Sequence, residues 1–485
     1  MLTDQLLLDY KRCQRRAYLN IHGDWQLRDR SGDFRLKLRQ ESSRHVQAII
    51  DQFYPNCVYL PELDLSTQGW QQQAQATQLL MQQGQECIYH GVLYRSDYRL
   101  PLVGVPHLLI KQPGTSCFGD WCYLPITIQL GRRPKPEYKL MAAFYAYLLQ
   151  DVQKTLPPFA EIILRRQNIH RVDLKLWLHK LQQALAGLLG ALASTEEPEV
   201  FISRQRCNLC QWYSHCYTLA KSHNHLSLVP GITPSRYQQL KAIGIDSLAS
   251  LAEISSEKAI LGIDKEVTST LKQQALSILE NRPLEKTSQT FVNKPLISAN
   301  VEFYFDIEAE PERQLDYLLG VLLVDRQANT ETFYPFLAEH PEQEGQVWRQ
   351  FVDLVTLYPH SPIFHYSEYE IETIKRLAKL YQTPKEQRQS ILSRLVDLHA
   401  YVLNSVIFPV ESYSLKSLAN WLGFYWRNPH GSGEQSVYWY DQWLTNHDRQ
   451  SLQLILNYNE DDCRATRHLK DWLSTFSPQS IGDRF

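Results

Sequence analysis

The sequence predicts an α/β protein of more than one domain. Three observations carry that expectation. The chain has 485 residues, 44% of them hydrophobic, enough for two to four cores at about 100–200 residues each. Short β-rich runs alternate with helical periodicity in both the front and the back of the chain. Between them lies a stretch whose pattern is helical throughout.

In residues 1–220, apolar positions recur at helical spacing in 5–20, 41–54, 70–85, 137–153 and 172–194. β-rich runs appear at Tyr89–Tyr94, Leu102–Lys111 and Trp121–Leu130. The glutamines of 70–85 suit the solvated face of a helix. Residues 226–285 read as a small helical module with Gly231 and Gly244 at turns, and 282–298, with two prolines among polar residues, reads as a linker. A new unit starts at Val301. VEFYFDIEA, YLLGVLLVD and ETFYPF read as three strands. A helix follows at 343–357, a strand at PIFHY, helices at 368–381 and 387–403, and a closing helix at 448–474. Strands first, then helix and strand in alternation, suit a mixed sheet covered by helices. The expected domains are 1–222, 223–285 and 299–480.

Net charge is -2, which by itself speaks against a strongly basic nucleic-acid binder. The total conceals an asymmetry. Residues 1–225 carry 26 Lys+Arg against 19 Asp+Glu, residues 226–298 carry 8 against 7, and residues 299–485 carry 16 against 26. A basic front suits a polyanion and an acidic back suits cations. No apolar run reaches the roughly 18 residues of a membrane span, and the N-terminus lacks the order of a signal peptide. The expectation is a cytoplasmic protein with no membrane partner, where structural disulfides are rare.

Nine cysteines then need a reason. Cys207, Cys210 and Cys216 form C-x2-C-x5-C, three thiolates near enough for one metal centre, with Cys13 in YKRCQRRAYL as the candidate fourth ligand. Zinc or an iron–sulfur cluster would satisfy four cysteines, and spacing leaves both open. Cys57, Cys87, Cys117, Cys122 and Cys463 show no ligand spacing and read as core or surface thiols.

The cysteine frame resembles the iron–sulfur nucleases of the RecB-like family and their CRISPR-associated relatives. The resemblance implies a PD-(D/E)xK nuclease-like domain holding a [4Fe–4S] cluster through Cys13, Cys207, Cys210 and Cys216. In that family an Asp ends one strand, D/E-x-K follows on the next, and a Q-x3-Y helix comes after. Here His107 stands at the Asp position, Thr127 and Gln129 at D-x-K, and Met141 at the Gln ahead of Tyr145, while His45 matches a His preceding the core. Both acids, the Lys and the Gln are therefore replaced. The expectation is a catalytically inactive DNA-binding scaffold. The loop RRPKPEYK, with Arg132, Arg133, Lys135 and Lys139, reads as a candidate phosphate contact or a solvated loop. VPGITPSRYQQLKAIGIDSLASLAEI resembles a helix-hairpin-helix motif, which implies that the turn at Gly231 offers backbone N–H groups to a phosphate. Thr233 stands where a second glycine is common.

The strongest chemistry lies further on. FYFDIEAE puts Asp306 and Glu308 at i and i+2 of a strand, so both carboxylates face one side. That arrangement is costly unless a cation joins them. LILNYNEDDCRAT puts Tyr458 and Asp462 at i and i+4 of a helix. Together they resemble the DEDD exonucleases of the RNase H-like superfamily. The resemblance implies an RNase H-like C-terminal domain whose acids bind Mg2+ or Mn2+, with Tyr458 orienting the attacking water. At the family's N-x3-D, Tyr366 and Glu370 stand here, with His365 near, and Asp397 is a weaker candidate. As a whole the chain resembles bacterial RecB-like nucleases that fuse these two halves. This implies a two-metal phosphodiester hydrolase, a 3′–5′ exonuclease on DNA with Asp306, Glu308, Glu370 and Asp462 as ligands. The alternative is a nucleic-acid-binding adaptor with two silent sites.

Overall fold

The computed structural model describes residues 1–485 except 31, 61–66, 97, 256–261, 287–295 and 477–485. The chain forms two units, Met1–Leu219 and Ala220–Phe485, each with its own mixed sheet. No described helix is long and apolar enough to cross a membrane.

The first unit is built on six strands in sequential order: β1 (Val58–Tyr59), β2 (Cys87–Tyr89), β3 (Leu108–Ser116), β4 (Gly119–Ile128), β5 (Ala160–Ile163) and β6 (Ile169–Val172). β1/β2 and β4/β5 pair in parallel, the rest antiparallel. Helices cover both faces. Leu108, Ile126 and Ile128 pack on Val46 and Ile49 of α3 (Asp33–Phe53), while Leu109 and Tyr123 pack with Phe144 and Leu148 of α4 (Pro136–Gln153). Burial on both faces is why WCYLPITI reads as a continuous apolar run rather than an alternation.

The helix expected over 5–20 is two, α1 (Asp4–Arg12) and α2 (Gln14–His22), divided at Cys13, whose backbone is extended (φ −163°, ψ 121°). Asp4 ties this corner to α4, accepting from Val105 N at 3.0 Å and from Tyr145 Oη at 2.9 Å. Cys57 and Cys87, read above as thiols, are disulfide-bonded. Parallel pairing of Val58 with Ile88 sets the preceding residues side by side, with Cα atoms 4.5 Å apart.

The main sheet of the second unit has five strands in the order β9-β8-β7-β10-β11: β7 (Val301–Glu310), β8 (Leu315–Asp325), β9 (Thr330–Leu337), β10 (Ile363–His365) and β11 (Leu395–Asp397). The first three pair antiparallel, and β10 and β11 add in parallel. β11 falls inside the helix expected over 387–403. Two short helices, Lys385–Leu392 and Leu398–Ser405, flank it, and Asp397 caps the second through His399 N and Ala400 N. A three-residue strand has too little pattern of its own; its partner β10 defines it.

β7 is the central strand, with Phe303 and Phe305 in one core and Tyr304 in the other. The last helix, α8 (Arg449–Thr475), crosses it, and buried Lys470 reaches the fully buried Glu302 at 2.8 Å, with Arg326 at 2.7 Å. These bonds fix the register of α8 against β7. The helical segment expected to stand as a module lies in this unit. Its third helix, α5 (Lys265–Glu280), bonds the chain at 407–408 through Gln274 Nε2 to Phe408 O (2.5 Å) and Ser277 Oγ to Ile407 O (3.3 Å). The expected linker falls mostly outside the described residues.

Candidate metal centre

Alternation along β7 aims Asp306 and Glu308 to the same side, where α8 brings Asp462. One carboxylate oxygen from each lies within 4.8 Å of the other two. Among the described residues no other three His, Cys, Asp or Glu ligand atoms gather so closely. Glycine makes this approach possible. Gly320 of β8 pairs with Asp306, and a side chain there would collide with Asn459 of α8. Asn459 uses the space to donate from Nδ2 to Asp306 Oδ2 at 2.8 Å.

Electrostatics mark the three acids as a site. Burial, then the charges of Asp462, Glu308 and Glu370, hold Asp306 well above the carboxylate range. Burial and then Asp462 do the same to Glu308, against a hydrogen bond from Ser436 of α7 (Gly433–Asn446). Asp462 is pushed up to about 7 by burial, opposed by hydrogen bonds from Trp426 and Tyr458. Three buried carboxylates sharing one corner is an arrangement that a divalent cation stabilises and that hard oxygen donors favour. The residues fit Mg2+ or Mn2+.

Tyr458 lies one turn before Asp462 and donates its hydroxyl to it, as the i, i+4 spacing requires. Its ring packs beside Gly431, where an added Cβ would lie 2.7 Å from Cδ2. Glu370, in the first turn of α6 (Glu368–Leu380), is buried near enough to raise Asp306 but stands outside the three-acid group. Its Oε2 accepts from Ser367 Oγ at 2.9 Å and lies 3.5 Å from Nδ1 of His365, which is fully buried. Ser367 itself has φ 140°, a conformation costly for a side chain. Tyr366 turns away and donates to Tyr413 O at 2.5 Å.

Several partners carry no sequence signal. Trp426 Nε1 donates to Asp462 Oδ1 at 2.9 Å, which leaves the other oxygen for a ligand. Lys416 anchors the following turn through Pro429 O (2.8 Å) and Gly431 O (2.7 Å). Arg427 clamps Asp461 from N (2.9 Å) and Nε (2.8 Å). Asp461, beside Asp462 in the sequence, is thus a buried anchor. Only the tryptophan in FYWRNPHG, just past a helix, could have hinted at this strap.

A family model described as RNase_H superfamily matches residues 303–474. The C-terminal domain is RNase H-like. The match takes in all five acidic and phenolic candidates, Asp306, Glu308, Glu370, Tyr458 and Asp462. No curated protein matches the chain.

In the first unit the thiols of Cys13, Cys207, Cys210 and Cys216 are near one another, so that charge on Cys13 and Cys210 adds to the effect of burial on Cys216, pushed up to about 11. They do not form a tight tetrahedral group, which for zinc would put sulfurs about 3.8 Å apart. Arg15 Nε donates to Cys216 Sγ at 3.4 Å.

The position that matches the nuclease family's Asp is also built differently. His107 Nδ1 accepts from the Ile128 N–H at 3.2 Å, so the proton sits on Nε2. Burial, with His90 and His45 near, lowers its pKa to about 4. Thr127 Oγ1 and His45 Nε2 are buried without a hydrogen-bond partner, and Tyr145 serves Asp4. Arg132, Arg133 and Lys135 lie exposed before α4, with Lys135 over the Tyr138 ring. Gly231 has φ +87°, and its carbonyl accepts from Arg236 Nη1 at 2.7 Å.

Proposed function

We propose that this protein is a metal-dependent nuclease whose C-terminal domain hydrolyses phosphodiesters. The observation that carries the reading is the close group of Asp306, Glu308 and Asp462 beside Tyr458 in an RNase H-like fold. These three acids would hold Mg2+ or Mn2+, with Glu370 as a further, more distant acid. A divalent cation there supplies Lewis-acid polarisation of the phosphate and a more acidic water. The chain's own groups do the rest. Asn459 fixes the orientation of Asp306, Trp426 fixes Asp462, and the Tyr458 hydroxyl orients a water for in-line attack on phosphorus. DNA as substrate and 3′–5′ polarity follow from the resemblance to DEDD exonucleases.

The first unit, as residues 1–222, is on this reading a nucleic-acid-binding scaffold with no cleavage of its own. The neutral His107, with Nε2 protonated, offers a cation no lone pair, and Thr127 replaces a carboxylate. A [4Fe–4S] cluster on Cys13, Cys207, Cys210 and Cys216 follows from the resemblance to the iron–sulfur nucleases. Arg132, Arg133, Lys135 and the turn at Gly231, in a module over 223–285, are the proposed phosphate contacts.

The test is a nuclease assay with Mn2+ on strands labelled at the 3′ or the 5′ end, comparing wild type with Asp306→Ala. Loss of cleavage in the variant supports the reading. An inactive wild type sinks it and favours the adaptor, a reading that the distance of Glu370 from the other acids supports.

A further inference from the structure

Trp25 is 64% exposed, and among the described residues no other tryptophan is exposed. Leaving so large an apolar ring in water forgoes burial that most tryptophans obtain. Yet the ring is firmly mounted. It lies in a single turn, Trp25–Leu27, whose start is capped by Asp24 accepting from Gln26 N at 2.9 Å. The Arg28 guanidinium covers it at 3.5 Å from the ring centroid and is itself 5.0 Å from the centroid of Trp212. Trp212 is 1% exposed, and Asn20 Oδ1 accepts from both Arg28 Nη2 and Trp212 Nε1 at 2.8 Å. Trp25, Arg28 and Trp212 thus form a layered stack rooted in the core.

Arg16 is near both Arg28 and Arg35, and Arg39 is near Arg35. Arg35 donates to Leu209 O at 3.1 Å, and burial and then the charges of Arg39 and Arg16 lower its pKa. The nearby acids are engaged. Asp9 is bound by Arg16 at 2.8 Å and by Asn20 at 2.8 Å, and Asp29 accepts from Ser214 N at 3.0 Å. Positive charge gathered around a rigid aromatic face suits a ligand that offers both phosphates and flat rings. Bases inside a duplex are stacked on one another and cannot lie on a protein ring; those of a single strand can.

We propose that Trp25 is a stacking platform for a base of single-stranded nucleic acid, with Arg35 and Arg39 drawing the adjoining phosphates. The site belongs to the basic first unit and does not depend on the carboxylates of the second.

The test uses the full chain in EDTA, so that no metal-dependent cleavage intervenes. Fluorescence anisotropy measures binding of a short dye-labelled thymidine strand and of a duplex, for wild type, Trp25→Ala and Trp25→Phe. Trp25→Ala should weaken strand binding about tenfold, Trp25→Phe less, and duplex binding should hold. Strand binding equal to wild type in Trp25→Ala would overturn the proposal, as would an equal loss for strand and duplex. Should Trp25→Ala melt earlier than wild type, quenching decides. The strand should quench wild-type tryptophan emission more than that of Trp25→Phe, and equal quenching would overturn the proposal.

Discussion

Both units end a mixed sheet in a polar corner under a long helix, yet the corners are built to opposite rules. In the second unit three carboxylates are forced together and kept above their usual pKa range. In the first, at His107 and Thr127, charge is gone and one backbone N–H is satisfied by an imidazole. The first corner leaves two polar atoms unpartnered but holds no charges that repel, whereas the second carries repulsion that a bound cation would relieve. A strained corner retained beside a relaxed one points to chemistry at the strained one.

The sharpest break of this contrast is Asp462→Asn against His107→Asn. The first should lower Mn2+-dependent cleavage about a thousandfold, while the second leaves it unchanged, measured on end-labelled strands. In metal-free protein Asp462→Asn should also raise the melting temperature, because an ionisable carboxylate buried beside two others is replaced by a neutral amide.

Next in size is a pH effect. His107 titrates near 6.5 in the unfolded chain and near 4 when folded, so the unfolded state binds the proton first. Stability from this residue is full above pH 6.5 and falls as pH drops toward 4, by up to about 3 kcal/mol. Denaturant titrations of wild type and His107→Gln over that range should converge at the acid end. Parallel curves would break the comparison.

Smaller is Trp426→Phe, which keeps an aromatic ring, smaller than indole, and removes the hydrogen bond to Asp462. Partners one step behind a metal ligand typically matter by about 10–100-fold, so Mn2+ binding followed by electron paramagnetic resonance should weaken by about tenfold. The smallest is Thr127→Val. Its hydroxyl is buried without a partner, and its removal should stabilise the first unit by about 1 kcal/mol or leave it unchanged.

The sequence makes the acids legible because both rest on local periodicity. The i, i+2 pair of β7 and the i, i+4 pair of α8 need no knowledge of tertiary contacts. Trp426 escapes because it meets Asp462 across 36 positions, from a turn with no periodicity. β11 is lost in a helical pattern for a related reason, since its identity comes from β10. Cys57 and Cys87 have no ligand spacing, and only strand register reveals them as neighbours. Asn459, inside YNEDD, carries no signal of its own, because its role depends on a hydrogen atom at position 320.

That hydrogen atom has a consequence of its own. Gly320 works as a socket, leaving room between sheet and helix for the one amide that reaches Asp306. A methyl group there would leave every acid in place along the chain and every apolar contact recognisable, while displacing the Asn459 side chain that holds Asp306. Homologues that differ at this one position would share all three acids and still differ in how Asp306 is held.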